Sequence, residues 1–292
     1  MSVFRKAFYW LRNPWGKPRW LAIITILYIL WSIVPVAIAI LFAFNHGRSR
    51  TTWQGFSFEW FTGPTGSVLH DPDLQGALKH TLFLAVICVL LSVPLGVTLA
   101  LGLQRWRGPG SGTINTVMLL PLVTPEIVMG VALLILFLDV FPGFGLGTRA
   151  QAIGQVTFTL SYVVVMVRGR LVSIGPEYEE AAADLGAPPR DQLRRVLLPL
   201  LMPAIIASAA VAFALSIDDF VVTQYLSGDA STTTVSMLLY ASARGAPTPA
   251  LNALATVSLV ITFATLGLAF FLYRKIAGGS GSDTAQVAAM EV

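Results

Sequence analysis

The chain has 292 residues and a formal net charge of +4, and it is 55% hydrophobic but only 12% charged. Soluble domains carry about 25% charged residues, so the pair of soluble domains that length alone would allow is excluded, and lipid becomes the expected solvent. Cys88 is the single cysteine, which excludes an intrachain disulfide and leaves it as a small packed hydrophobe.

Residues 1–19 form a basic segment holding Arg5, Lys6, Arg12, Lys17 and Arg19. Trp20 to Phe44 follows without a charge. A hydrocarbon core of ~30 Å needs about 20 apolar residues in a helix, so this stretch reads as a first span. It is far longer than the ~7–15-residue apolar core of a cleaved signal peptide. The next loop is the longest and contains "GFSFEWFTGP". Its aromatics Phe56, Phe58, Trp60 and Phe61 suit the headgroup layer or an external partner. His46, His70 and His80 lie in or beside this loop, with no metal-ligand spacing. Thr81 to Gln104 is the second span. Thr113 to Val140 is the third and carries Glu126 and Asp139, the latter at its outer end. Pro121 and Pro125 each deprive the carbonyl four residues earlier of its helix donor. "GFGLG" at Gly143 to Gly147 is a turn between spans. Ala150 to Val167 is the fourth span. Leu197 to Ser227, with Asp218 and Asp219, is the fifth, and Ala250 to Tyr273 is the sixth. The tail 274–292 becomes Gly/Ser/Ala-rich after Ala277 and is expected to be disordered. The ~10-residue alternation of a membrane barrel is missing. The expected fold is all-α, an integral membrane protein with six transmembrane helices over residues 20–273.

Lys and Arg favour the cytoplasmic side. The segments before span 1, after spans 2 and 4, and after span 6 together hold 14 of them; the opposite loops hold five. Both termini and the loop 169–199 are therefore expected to be cytoplasmic. The basic residues are spread over four segments without a recognition module, so no nucleic-acid partner is expected.

That loop contains the most charged stretch, "EEAAADLGAPPRDQLRRVLLPLLMP", from Glu179 to Pro203. Pro176 suits a first helical turn, and Glu177, Glu179 and Glu180 complement the positive helix N-terminus. Tyr178, Ala181, Ala182 and Leu185 share one apolar face. Glu177, Glu180 and Asp184 line the neighbouring face, and Gly186 is placed to end the helix. Pro188–Pro189 then starts a second, basic helix running into span 5. Spacing alone fits either a solvated connector or a docking helix.

"EAAADLGAPPRDQLRRVLLP" resembles the signature of ATP-binding-cassette importer permeases: EAA, three residues, Gly, nine residues, I-x-L-P. Glu180, Ala181 and Ala182 supply EAA, Gly186 the glycine, and Leu198–Pro199 the end, with Val196 where isoleucine is usual. The resemblance implies a type I importer permease architecture. It makes Glu180, Ala181, Ala182, Asp184, Leu185 and Gly186 a coupling helix seated on an ATPase dimer that uses ATP and Mg. This chain has no G-x-x-x-x-G-K-[ST] phosphate loop and no nucleophilic triad, so it is expected to be no enzyme and to bind no cofactor.

"LLPLVTPEIVMGVALLILF", "LSIDDFVVTQYLSG" and "PALNALATVSLV" resemble the spermidine/putrescine-type permeases. That likeness implies a second permease in a heterodimer and an extracytoplasmic substrate-binding protein, in a cell inner membrane. Relatives of that group move other organic cations, amino-acid-like compounds or ferric iron. Ionisable groups inside spans are costly and mark pathways by default, and those here are all acids, which suits a cationic substrate. On a continuous helix Ser216, Asp219 and Thr223 share a face, so Asp219 with Glu126 is expected to wall the pathway. Asp218 then turns to a neighbour, and Phe220 and Tyr225 add cation–π attraction. A break in span 5 at the two acids is the plainer alternative. A secondary transporter driven by an ion gradient would use the same acids as a relay but would call for an internal repeat, and none is visible. A non-transporting scaffold would need neither the acids nor the loop.

Overall fold

A computed structural model describes residues 19–49, 52–106, 108–244 and 248–290, with side chains from Trp20 to Ile276. The basic N-terminal segment 1–18, Arg50 and Arg107 lie outside the described residues.

The described elements are helical. In chain order they are α1 (Arg19–Ala43), α2 (Glu59–Thr62), α3 (Pro72–Arg105), α4 (Ser111–Val123) and α5 (Glu126–Ile135). Then come α6 (Thr148–Ile174), α7 (Glu177–Asp184), α8 (Pro189–Asp218), α9 (Val221–Tyr225), α10 (Val235–Arg244) and α11 (Pro249–Met290). Five of them, α1, α3, α6, α8 and α11, are long and apolar enough to cross a membrane. Segments α4 and α5 make a sixth only as a bent pair, turned by 109°.

That bend falls at the prolines of the third span. Thr124 precedes Pro125, whose ring disfavours the α conformation at the residue before it. Thr124 is extended, with φ −77° and ψ 128°, and its hydroxyl returns to the Leu120 carbonyl at 2.7 Å. Pro121 by contrast stays inside α4. Span 5 breaks at the two acids, the plainer of the two expectations: the helix ends at Asp218 and restarts at Val221, with Asp219 extended between them. The α11 backbone is helical to Met290. Extending an existing helix is much easier than nucleating one.

The packed centre is the α3–α6–α8 seam, where Val97, Ala100, Val163, Val167, Leu201 and Ala212 interlock. Small residues let helices approach without a hydrophobic drive from lipid. A Cβ on Gly96 would sit 2.5 Å from Val163 Cγ1, so this contact needs glycine. Helix α1 packs on α11 and leaves most of its apolar side chains open, as lipid-facing residues do; Trp31 is 80% exposed.

The loop after α1 folds onto its own core. Trp60 is buried there, and its Nε1–H donates to the Asn45 carbonyl at 2.7 Å. It therefore departs from the surface aromatics. Phe44, Phe56, Phe58 and Phe61 cluster beside it, and Phe56 and Phe58 remain exposed. The three histidines part company: His46 faces Glu59, His70 faces Ser67, and His80 faces Gln151.

Candidate coupling surface and translocation site

Helix α7 is built by its ends. It has eight residues and no buried side chain, so packing does little to hold it. Pro176 stands immediately before it, and three glutamates occupy its first turn. At the other end Gly186 adopts φ +79°. Its N–H donates to the Ala183 carbonyl at 2.8 Å, and the Ala187 N–H to the Ala182 carbonyl at 3.0 Å. This paired closure is the glycine-ended helix stop. Glu180, Ala181, Asp184, Leu185 and Gly186 are exposed and Ala182 is half-buried. Leu185 is 90% exposed, an isolated large hydrophobe held out by a polar helix. Two contacts tether the loop to the bundle. Arg105, at the end of α3, pairs with Glu179. The Gln192 amide donates to the Ala187 carbonyl at 2.7 Å. Composition pointed to an acidic helix; it did not single out Arg105, because the two partners are 74 residues apart.

The second group of residues gathers where α8 breaks. Asp219 accepts the N–H of Val222 at 3.1 Å and of Thr223 at 3.2 Å, so its carboxylate caps α9. Gln155 of α6 donates to Asp219 Oδ2 at 3.3 Å and to the Ser216 carbonyl at 3.2 Å, and accepts the Ser216 hydroxyl at 2.6 Å. The Thr223 hydroxyl donates back to the Asp219 carbonyl at 2.9 Å. Ser216, Asp219 and Thr223 thus do come together, but around Gln155 inside this chain. One turn away Gln151 holds the Thr223 and Thr232 carbonyls at 3.0 and 2.9 Å. Gln151 and Gln155 are fully or almost fully buried, and the sequence reading passed over both. Two glutamines four apart in an uncharged span were the available signal, since buried amides must be paired.

Asp218 points elsewhere. It is exposed and lines a cavity of about 420 Å3 with residues of α10 and α11. Glu126 opens α5, is also exposed, and stands beside Pro125. Helix α5 packs on α9 through Gly130, where a Cβ would lie 2.9 Å from the Tyr225 ring. Neither Glu126 nor Asp218 has a cationic partner among the described residues. Phe220 is stacked on Tyr240 with centroids 4.1 Å apart, and Arg244 lies 4.7 Å over the Tyr240 ring. This aromatic pair already carries a cation of the same chain. Asp139 is exposed at the end of the bent pair.

Comparison with known proteins fits this arrangement. Residues 92–278 match the family of binding-protein-dependent transport system inner membrane components. The spermidine/putrescine transport system permease protein PotC of Shigella flexneri is 33% identical over 250 residues, 86% of this chain and 92% of that protein. The putrescine transport system permease protein PotI of Escherichia coli (strain K12) is 34% identical over 254 residues, 85% of this chain and 87% of that protein. A chain of the bacterial alginate ABC transporter, solved with an alginate pentasaccharide-bound periplasmic protein, superposes with a TM-score of 0.69 at 17% identity. The superposition covers 88% of this chain and 95% of that one. A chain of the MetNI methionine ABC transporter in an inward-facing conformation gives 0.56 at 17% identity, over 69% and 93%. At such identities the two structures speak for the fold. The family match runs from the middle of α3 through α7 and both breaks, and the chain belongs to the binding-protein-dependent transport system inner membrane components, as a multi-pass permease subunit.

Proposed function

We propose that this permease forms, with a second and similar permease, the path of an ATP-driven importer for a polyamine-like organic cation. An ATPase dimer that uses ATP and Mg docks on α7, and an extracytoplasmic binding protein delivers the substrate. Both termini and the α7 loop face the cytoplasm, in line with the 14-to-5 distribution of basic residues. The observation that carries the ATP-driven reading is α7 itself: a helix with no buried side chain, ended by Gly186, presenting Leu185 at 90% exposure. A helix of this kind, with Tyr178 and Leu185 both open on one face, is well suited to a cleft in a partner. The cationic substrate is supported by the relatives' spermidine and putrescine transport. The unpaired carboxylates of Glu126 and Asp218 support it from within the chain.

The test is uptake by the complete transporter in proteoliposomes. Labelled putrescine should accumulate only with ATP on the α7 side, and spermidine should compete while an uncharged diol should not. Uptake driven by an ion gradient without the ATPase would refute the proposal.

A further inference from the structure

The arginines on the α7 side of the bundle are unequally occupied. Arg105 pairs with Glu179, Arg168 donates to Asn115 Oδ1 at 2.6 Å, and Arg195 stands 3.8 Å from Asp191. Arg170 differs. Its Nε donates to the Leu200 carbonyl at 3.3 Å and its Nη1 to the Ser173 hydroxyl at 3.4 Å, both long contacts. No carboxylate pairs with it among the described residues. A guanidinium carries five N–H donors, so most of its capacity is open. Arg170 lines a cavity of about 390 Å3 between α6, α8 and α11, and none of the lining residues is acidic.

The cavity has two unlike ends. Arg170 and the exposed Tyr273 stand at the α7 end, where α6 and α11 leave their apolar runs. Arg274 and Lys275 follow Tyr273 on α11, within ~3 Å of it along the helix axis, and neither has a carboxylate partner among the described residues. Towards the middle of the spans the wall is apolar, with Met166, Pro203, Ala204 and Ala207. Pro199, Pro203 and Ala207 recur every four residues along α8, and eight residues of helix cover ~12 Å. The lining therefore runs from headgroup level into the hydrocarbon, with cations at its mouth and short apolar side chains beyond.

That polarity selects among occupants. A free phosphate would satisfy Arg170 and leave the apolar end unfilled. An uncharged acyl compound would leave the guanidinium facing hydrocarbon, which is costly. A zwitterionic lipid would bring its own cation towards three others. An anionic phospholipid suits both ends. Its phosphate can take paired, charge-assisted hydrogen bonds from Arg170, and the Tyr273 hydroxyl can donate to the same headgroup. One acyl chain then lies along Met166 and Ala207. Basic pockets between spans are where acidic headgroups bind.

We propose that this cavity is a binding site for an anionic phospholipid such as phosphatidylglycerol, in the leaflet on the α7 side, with Arg170 as the phosphate ligand. The lipid joins α6, α8 and α11 at the place where the α7 loop leaves α6 and returns in α8. The site is independent of the solute carried.

The test uses the complete transporter, delipidated in detergent and incubated with phosphatidylglycerol or phosphatidylcholine of identical acyl chains. Native mass spectrometry counts the retained lipid. The wild type should hold phosphatidylglycerol in preference to phosphatidylcholine. Arg170→Gln should weaken that lipid by about fivefold or more, and Arg170→Lys should keep most of it. Ala207→Trp leaves the arginine in place but fills the apolar end, and it should weaken the same lipid. Phosphatidylglycerol should also raise the thermal-unfolding midpoint of the wild type, and Arg170→Gln should lose that rise. Equal retention of the two lipids by the wild type would overturn the site, as would unchanged retention by Arg170→Gln or by Ala207→Trp. Displacement of phosphatidylglycerol by excess glycerol 3-phosphate would make this a free-phosphate site and refute the lipid. Loss of the second permease or the ATPase from Ala207→Trp would make the groove a subunit contact and refute it too. If Arg170→Gln fails to assemble, the wild-type preference and Ala207→Trp still decide. Putrescine uptake is not read here, so the lipid site and the polyamine reading stand or fall separately.

Discussion

Gly186 offers the cleanest perturbation of the proposed coupling surface. It ends α7 at φ +79°, and a Cβ built there meets nothing within 4 Å. Any effect of substitution is therefore conformational and not steric. A side chain in the left-handed region costs ~1–2 kcal/mol, which is a factor of about 5–30 in an equilibrium. In a well-packed helix, tertiary contacts could absorb that. Helix α7 has eight residues and none is buried, and isolated helices shorter than ~12–15 residues are marginal in water. The local cost should therefore appear almost undiminished as fraying of the Ala182–Ala187 closure. Gly186→Ala should lower ATP-driven uptake by about 5–30-fold. Gly186→Val, stiffer still, should abolish it. Gly186→Asn should retain most activity, because asparagine tolerates the left-handed region. The assay is uptake in proteoliposomes, with co-purification of the ATPase as the binding readout. Thermal unfolding of the bundle should be unchanged in all three. Normal uptake by Gly186→Val, or equal damage from Asn and Val, would refute the conformational account.

Other outcomes follow from particular contacts. Gln155→Leu should destabilise the solubilised permease by ~1–3 kcal/mol, because Ser216 and Asp219 lose a buried partner; thermal unfolding in detergent measures it, and an unchanged midpoint would remove the structural role. Gly154→Val should cost ~1–3 kcal/mol by overpacking, since even a Cβ there would lie 2.6 Å from Val222 Cγ1 and Leu226 Cδ1. Its signature should be an α9 segment opened to hydrogen exchange. For orientation, Thr65→Cys and Ser173→Cys are both at exposed positions. In intact cells stripped of their outer membrane barrier, an impermeant thiol reagent should label only the cysteine at 65. Labelling at 173 instead would invert the topology.

The membrane character, the approximate spans and the acidic, glycine-ended helix before span 5 were all legible in the amino-acid order. Each rests on chemistry written within a few residues. An uncharged run of 25 residues suits lipid wherever it stands, and a glycine after an amphipathic turn ends a helix whatever surrounds it. The Thr124–Pro125 break was half legible: the prolines announced disrupted hydrogen bonding, but not the 109° turn that Thr124 makes by going extended. The break at Asp219 was legible only as an alternative. Helical spacing put Asp219, Ser216 and Thr223 on one face and assigned that face to the pathway. The folded chain keeps the grouping and turns it toward Gln155. The reason is the identity of the neighbour. Gln155 stands 64 residues from Asp219 in sequence and supplies the amide that satisfies it, while its own carbonyl oxygen accepts the Ser216 hydroxyl. Asp218, one residue earlier, receives no such partner and is left lining a cavity with residues of α10 and α11. Periodicity along the chain tells which residues point together. Which of them find a hydrogen-bond partner, and which remain free for a ligand, depends on a helix that only folding brings alongside.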